Sequence, residues 1–210
     1  GSIARTLYGT PLVLYRDATG EASAMLDRCP HRNVPLSLGR VTPEGLLECG
    51  YHGWRFDRTG ACTHIPSLCG DAREKDNPAR RATVFPVCER DGLVWVYGRA
   101  GGTAHELPFA FPHLDTPGYT HGYQQTEAEG TLLATAENAL DVPHTAFLHR
   151  GLFRSESRGI TIEAVVRRSA DRVEAEFVGE PRPPGIVGRL LSPTGGLVEH
   201  FDRFIAPCIT

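Results

Sequence analysis

The 210-residue chain has no apolar run approaching the length that crosses a bilayer, and no signal peptide opens it. Nor does it carry a surplus of positive charge. Its formal net charge of −3 excludes the polycationic footprint expected of a protein for nucleic acid or for an anionic membrane. No segment repeats and none is low-complexity, so no repeat architecture or biased tail is expected. What remains is ordinary globular material, 40% hydrophobic and 22% charged, long enough for one or two domains with a real core. The opening Gly1-Ser2, without a methionine, reads as an expression scar.

The informative stretch runs from Cys29 to Gly60. It places Cys29 and His31 as Cys-x-His, then seventeen residues, then Cys49 and His52 as Cys-x-x-His. Two thiolates and two imidazoles suit a two-iron, two-sulfur centre in which the cysteines hold one iron and the histidines the other. Replacing two thiolates by neutral rings removes negative charge. That raises the potential into a range of roughly −150 to +300 mV, against about −400 mV for an all-cysteine cluster of the plant type. A single structural zinc could take the same four ligands. Zinc sites, however, usually pair Cys with Cys and His with His, whereas both pairs here are mixed. The other four cysteines, Cys62, Cys69, Cys88 and Cys208, show no pairing geometry, and free thiols beside such a centre predict a reducing, cytoplasmic setting.

Around these loops the pattern is that of strands. Residues 10–16 read as a strand, 17–20 as a turn and 21–27 as a return strand, a hairpin leading into the first loop at 28–33. Residues 46–49 lead into the second loop and 54–57 into a turn at 58–60. The mixed-charge run 67–81 reads as a solvated surface loop, with a donor-docking edge as the sharper alternative. Strands over 83–89 and 93–97 close an all-β domain near residue 99. A proline-punctuated connector occupies 100–120, and a second domain begins near His121, with a strand over 123–129 and a helix over 131–142. Later strands are expected over 160–166, 173–178 and 197–205.

A second constellation lies at 137–149, E-N-A-L-D-V-P-H-T-A-F-L-H. His144 and His149 are five apart, about 140° of rotation on an ideal helix, so they could not share one face of a straight one. Pro143 removes an amide donor and distorts the backbone there, which makes convergence plausible. Asp141, three before His144, can touch it, fix its tautomer and leave the other ring nitrogen for a metal. Two imidazoles and a carboxylate on one face of an ion make the facial triad of non-haem iron oxygenases.

Taken together, the two constellations resemble the large subunit of Rieske non-haem iron oxygenases. The two cluster loops contain no additional cysteine, so the motif resembles the oxygenase and ferredoxin branch, not the respiratory one. The resemblance implies an α+β chain: an all-β Rieske [2Fe-2S] domain over 1–99, a connector over 100–120, and over 121–210 the N-terminal part of a helix-grip (Bet v1-like) catalytic domain. It implies that Cys29, His31, Cys49 and His52 hold the cluster, that His144 and His149 bind a mononuclear Fe(II), and that Asn138 lies close beside it. It further implies that Asp141 links His144 to His52 of a neighbouring subunit in a homotrimer. Electrons would come from NAD(P)H through a reductase or ferredoxin. Asp-x-x-His-x-x-Phe-x-His, with Phe147, looks more like the monooxygenase and O-demethylase branch. A hydroxylation or demethylation of a small apolar, aromatic, alicyclic or sterol-like substrate with O2 is the expectation; ring dihydroxylation, a ferredoxin-type carrier and a binding module stay open. Ile186, Val187, Leu190 and Leu191 are pocket-lining candidates, though such residues are more often core. The family's third iron ligand, an acidic residue late in a longer chain, has no match among the late carboxylates Glu199 and Asp202, so the catalytic part reads as incomplete.

Overall fold

The computed structural model describes residues 1–66, 77–149, 161–183, 185–206 and 209. Two compact units emerge, 1–122 and 123–210. Among the described residues the first holds ten strands. They are β1 (Ser2–Leu7), β2 (Thr10–Arg16), β3 (Ala22–Leu26), β4 (Arg40–Val41), β5 (Leu47–Glu48), β6 (Arg55–Phe56), β7 (Cys62–His64), β8 (Val84–Phe85), β9 (Val87–Arg90) and β10 (Leu93–Val96). They form two four-stranded sheets, β1-β2-β3-β8 and β4-β5-β6-β7, and a separate β9-β10 ribbon.

The alternation along β2 explains how one sheet serves two cores. Val13 and Tyr15 point into a cluster with Met25, Leu36, Leu47, Phe56 and the thiols Cys29, Cys49 and Cys62. Leu12 and Leu14 point the other way, onto Ala24, Phe85, Val87 and Val96. Both faces of the strand are therefore covered, and Val13 pairs with Met25 at zero exposure. β1, which sequence reasoning left out, pairs along its whole length with β2 as an exposed edge. Its mixture of small, charged and apolar residues gives no clean period.

The expected strand over 83–89 splits in two. Pro86 has no amide hydrogen to continue a ladder, so β8 pairs with β3 while β9 turns away to pair with β10. The polar run 67–81 is described only from Asn77, whose side chain accepts the Ala79 amide ahead of a short 3-10 turn at Pro78–Arg80; the suggested docking edge otherwise lies outside the described residues.

The second unit contains α1 (Leu132–Leu140), then β11 (Glu163–Arg168), β12 (Arg172–Val178), α2 (Gly185–Leu191) and β13 (His200–Ile205), with the strands in the order β11-β12-β13. Thr131 caps α1 by accepting the Ala134 amide at 3.1 Å. No strand is assigned over 123–129, where every residue is exposed. α2 was not foreseen, and Ile186 and Leu190 stand 76% exposed on it.

Candidate metal centres

The two loops that carry Cys29–His31 and Cys49–His52 close in the same way. The Cys29 amide donates to Val34 O and the Asn33 amide to Cys29 O, both at 2.8 Å. In the second loop the Cys49 amide donates to Trp54 O at 2.8 Å and the Gly53 amide to Cys49 O at 3.0 Å. In each, the residue four past the cysteine takes a left-handed backbone, Asn33 at φ 57° and Gly53 at φ 69°. Asparagine and glycine are the residues that enter this region at low cost. The cysteine ends of both loops thus sit against the core, and the histidine ends lie at the tips.

Burial follows from that geometry. Cys29 and Cys49 are 1% and 2% exposed, while His31 and His52 are exposed. The His31 and His52 ring centres are 4.6 Å apart, and His31 stacks on Trp54 at 4.7 Å with only 3° between planes. Burial pushes the Cys29 thiol up to about 11; the His31 amide pulls the other way, and the adjacent Cys49 thiol adds to the rise. His31 is lowered by desolvation, then by His52 and Arg32, which favours the neutral ring that ligates metal. Two neighbouring thiols within and two neutral rings without fit a two-plus-two ligand set. A single zinc would instead need all four donors around one ion.

Supports for these loops were not visible in the sequence. Asp27, buried two residues before Cys29, accepts the Ser37 amide at 2.7 Å and the Ser37 hydroxyl at 2.6 Å, tying the ends of the first loop. Glu48, next to Cys49, accepts Arg40 Nε and Arg55 Nε, each at 2.7 Å, across three neighbouring strands. Only the cross-strand register, Arg40 to Glu48 to Arg55, could have revealed the second.

The second constellation converges because the helix breaks. α1 ends at Leu140, Asp141 leaves helical angles at φ −83°, ψ 84°, and Val142–Ala146 continues as a 3-10 turn with Pro143 at its start. Pro143 cannot donate to the carbonyl of Ala139 as a continuing helix requires. His144 O then accepts the amides of both Phe147 and Leu148, and the His144 and His149 rings come to 5.4 Å between centres. Asp141 Oδ2 lies 3.7 Å from His144 Nδ1, an ion-pair distance too long for a hydrogen bond. That Nδ1 is a buried atom with no hydrogen-bond partner. Two adjacent imidazoles, one with its back nitrogen turned to a carboxylate, fit two of the protein ligands of a mononuclear iron. Asn138 stands exposed in the last turn of α1, and among the described residues no hydrogen bond joins it to either ring. Asp202 is instead engaged by His200, and Glu199 is exposed, so neither late carboxylate joins the pair.

The family described as Rieske [2Fe-2S] domain matches residues 2–86. The oxygenase component of dicamba O-demethylase from Stenotrophomonas maltophilia is 38% identical over 157 residues, 70% of this chain and 42% of that protein. Chloroplastic chlorophyllide a oxygenase from Chlamydomonas reinhardtii is 36% identical over 174 residues, 81% of this chain and 25% of that protein. The 4beta-methylsterol monooxygenase of Methylococcus capsulatus is 46% identical over 109 residues, 51% of this chain and 29% of that protein. The chain thus spans between 25% and 42% of the length of these relatives. The crystal structure of dicamba monooxygenase bound to 3,6-dichlorosalicylic acid superposes with a TM-score of 0.72 at 29% identity, covering 98% of this chain and 60% of that one. With the matched cluster loops and the paired histidines beyond them, the chain belongs to the large subunits of the Rieske non-haem iron oxygenases.

Proposed function

We propose that the protein is the oxygenase component of a system in which electrons from NAD(P)H arrive through a separate reductase or ferredoxin and O2 is used to hydroxylate or demethylate a small aromatic, alicyclic or sterol-like substrate. The supporting observation is the His144–His149 pair beside Asp141, since a bare electron carrier has no use for it. When bound, the cluster supplies one-electron transfer and the ferrous ion supplies the activation of O2.

The chain's own residues do the positioning. Cys29 and Cys49 would hold one iron of the cluster as thiolates, and the exposed His31 and His52 would hold the other. Asn33 and Gly53 keep both loops closed, and Trp54 fixes the plane of the His31 ring. In this reading Asp141 would close in from 3.7 Å to bond His144 Nδ1, leaving Nε2 for the metal. Its side chain is 51% exposed, so a second partner is within its reach. In this reading that partner is His52 of the neighbouring subunit in a homotrimer. The same reading would set Asn138 near the iron, and it assigns the remaining carboxylate ligand to neither Glu199 nor Asp202. A reducing, cytoplasmic compartment suits the remaining free thiols Cys62 and Cys88.

Relatives leave two substrate classes open. Dicamba O-demethylase, 3-chlorobenzoate-3,4-dioxygenase and toluene-4-sulfonate monooxygenase are named for acids, whereas 4beta-methylsterol monooxygenase and aminopyrrolnitrin oxygenase are named for a sterol and an amine. The Asp-x-x-His-x-x-Phe-x-His spacing favours monooxygenation over ring dihydroxylation. Iron content tests the two-centre reading: about three per chain for the oxygenase, two for a carrier. His144→Ala should remove the third iron and O2 uptake while the reduced protein keeps its Rieske paramagnetic signal. Full turnover by His144→Ala, or by Asp141→Ala, would refute the corresponding role.

A further inference from the structure

The three-stranded sheet of the second unit has two unlike faces. On one, Arg167 pairs with Glu176 and Arg203 with Glu174, and Arg203 also lies over Phe201. This is a solvated, ion-paired surface. On the other, register aligns three rows: Ala164–Phe177–His200, Val166–Ala175–Asp202 and Arg168–Val173–Phe204. It is apolar except for His200, Asp202 and, two strands away from both, Arg168.

The polar pair on that face is anchored from behind. His200 Nδ1 lies 2.6 Å from Oε2 of Glu180, which is 8% exposed, and His200 Nε2 lies 3.1 Å from Asp202 Oδ1. Phe177 packs on the His200 ring at 4.8 Å. The second oxygen, Asp202 Oδ2, is buried and has no partner. The three side chains together are anionic whether the ring carries one proton or two. A buried acceptor without a donor costs free energy unless something supplies the donor. The flanking Ala164 and Ala175 leave room over the sheet, and Phe177, Val173 and Phe204 offer apolar surface. The same unit carries His144 and His149, and α1, which leads to them, approaches β13.

We propose that this face is the substrate floor and that Asp202, held by His200 and Glu180, selects for a substrate with a hydrogen-bond donor on an apolar body. A phenol, an alicyclic alcohol or an amine meets that requirement, and a carboxylate does not. The inference rests on the oxygenase reading above and names its substrate class. Asp202 Oδ2 accepts the donor, and His200 fixes the orientation of the carboxylate. An anionic headgroup would face like charge with no donor to offer, which weakens its binding.

Calorimetric titration of the iron-loaded, full-length protein with p-cresol, 4-methylbenzylamine and p-toluate tests this, since the three share one body and differ in headgroup. The cresol or the amine should bind at least about tenfold more tightly than toluate, and Asp202→Asn should narrow that gap by relieving the repulsion. Equal or tighter binding of toluate overturns the proposal. So does no binding of any probe, the outcome if another stretch of polypeptide closes this face. Should Asp202→Asn fail to fold, as a thermal melt would reveal, the wild-type comparison decides alone. Because titration needs no turnover, selective binding without O2 uptake would sink the oxygenase reading and leave the pocket standing.

Discussion

Glu48 offers the sharpest test of how the cluster loops are held. Its side chain is 14% exposed, and each carboxylate oxygen takes one guanidinium hydrogen bond at 2.7 Å. Arg55, at 32% exposure, is the better-shielded partner; Arg40, at 72%, is largely in water. A charge-assisted bond that is partly shielded is worth about 1–1.5 kcal/mol net, and an exposed one at most about 1. Glu48→Gln keeps the shape but removes the charge, so it should cost about 2 kcal/mol, which is about 8 °C in melting temperature for a unit of this size. The pH dependence has a definite sign. Arg40 first, then Arg55, hold Glu48 below its ordinary value of 4.5, so the stabilisation is fully present above that value and is lost as pH falls through the lowered one. Thermal melts of wild type and Glu48→Gln from pH 7 down to pH about 3.5 should show a gap that is constant at first and closes at the acid end. Both proteins carry the same cluster, so acid loss of sulfide cancels in the difference. A gap below about 0.5 kcal/mol at pH 7, the usual scatter of surface substitutions, or one that does not close with acid, would refute the reasoning.

Three further outcomes follow from single contacts. Gly53→Ala places a Cβ at φ 69° and 3.0 Å from the Pro66 ring, which should cost at least about 1 kcal/mol and lower the cluster content read from the visible spectrum. Pro143→Ala restores the amide that Ala139 O lacks and lets α1 run on, so the third iron per chain should fall while the Rieske signal stays. Met25→Ala empties a fully buried site under both cysteines and should cost about 2–5 kcal/mol by denaturant titration.

That the two Cys–His loops meet was legible because each carries the same mixed pair, and the strands entering the first loop followed from alternation. The closure of the loops was half legible. Asn33 and Gly53 are both residues that tolerate positive φ, but only the hydrogen bonds show that they occupy equivalent places. The His144–His149 convergence was readable as a question, since 140° of helical rotation forbids it and Pro143 permits an escape; the 3-10 turn supplies the answer. Asp27 with Ser37 and Glu48 with its two arginines were not legible, because each bond depends on register between separated segments. The strand expected over 123–129 is not found. Its residues are all exposed and none is assigned to a strand.

Residue order within each loop carries the functional logic. In both loops the cysteine comes first, where the strand has just left the core, and the histidine two or three residues later, at the tip. Low exposure at Cys29 and Cys49 is thus a consequence of where the strands end, and so is high exposure at His31 and His52. Thiolates carry the negative charge and are shielded from water by Val13, Leu36, Leu47 and Phe56; neutral rings need no such shield. An arrangement with histidine first would bury the neutral ligands and expose the reactive thiolates to oxidation. The order of two residue types along the chain therefore decides which side of the centre meets a partner.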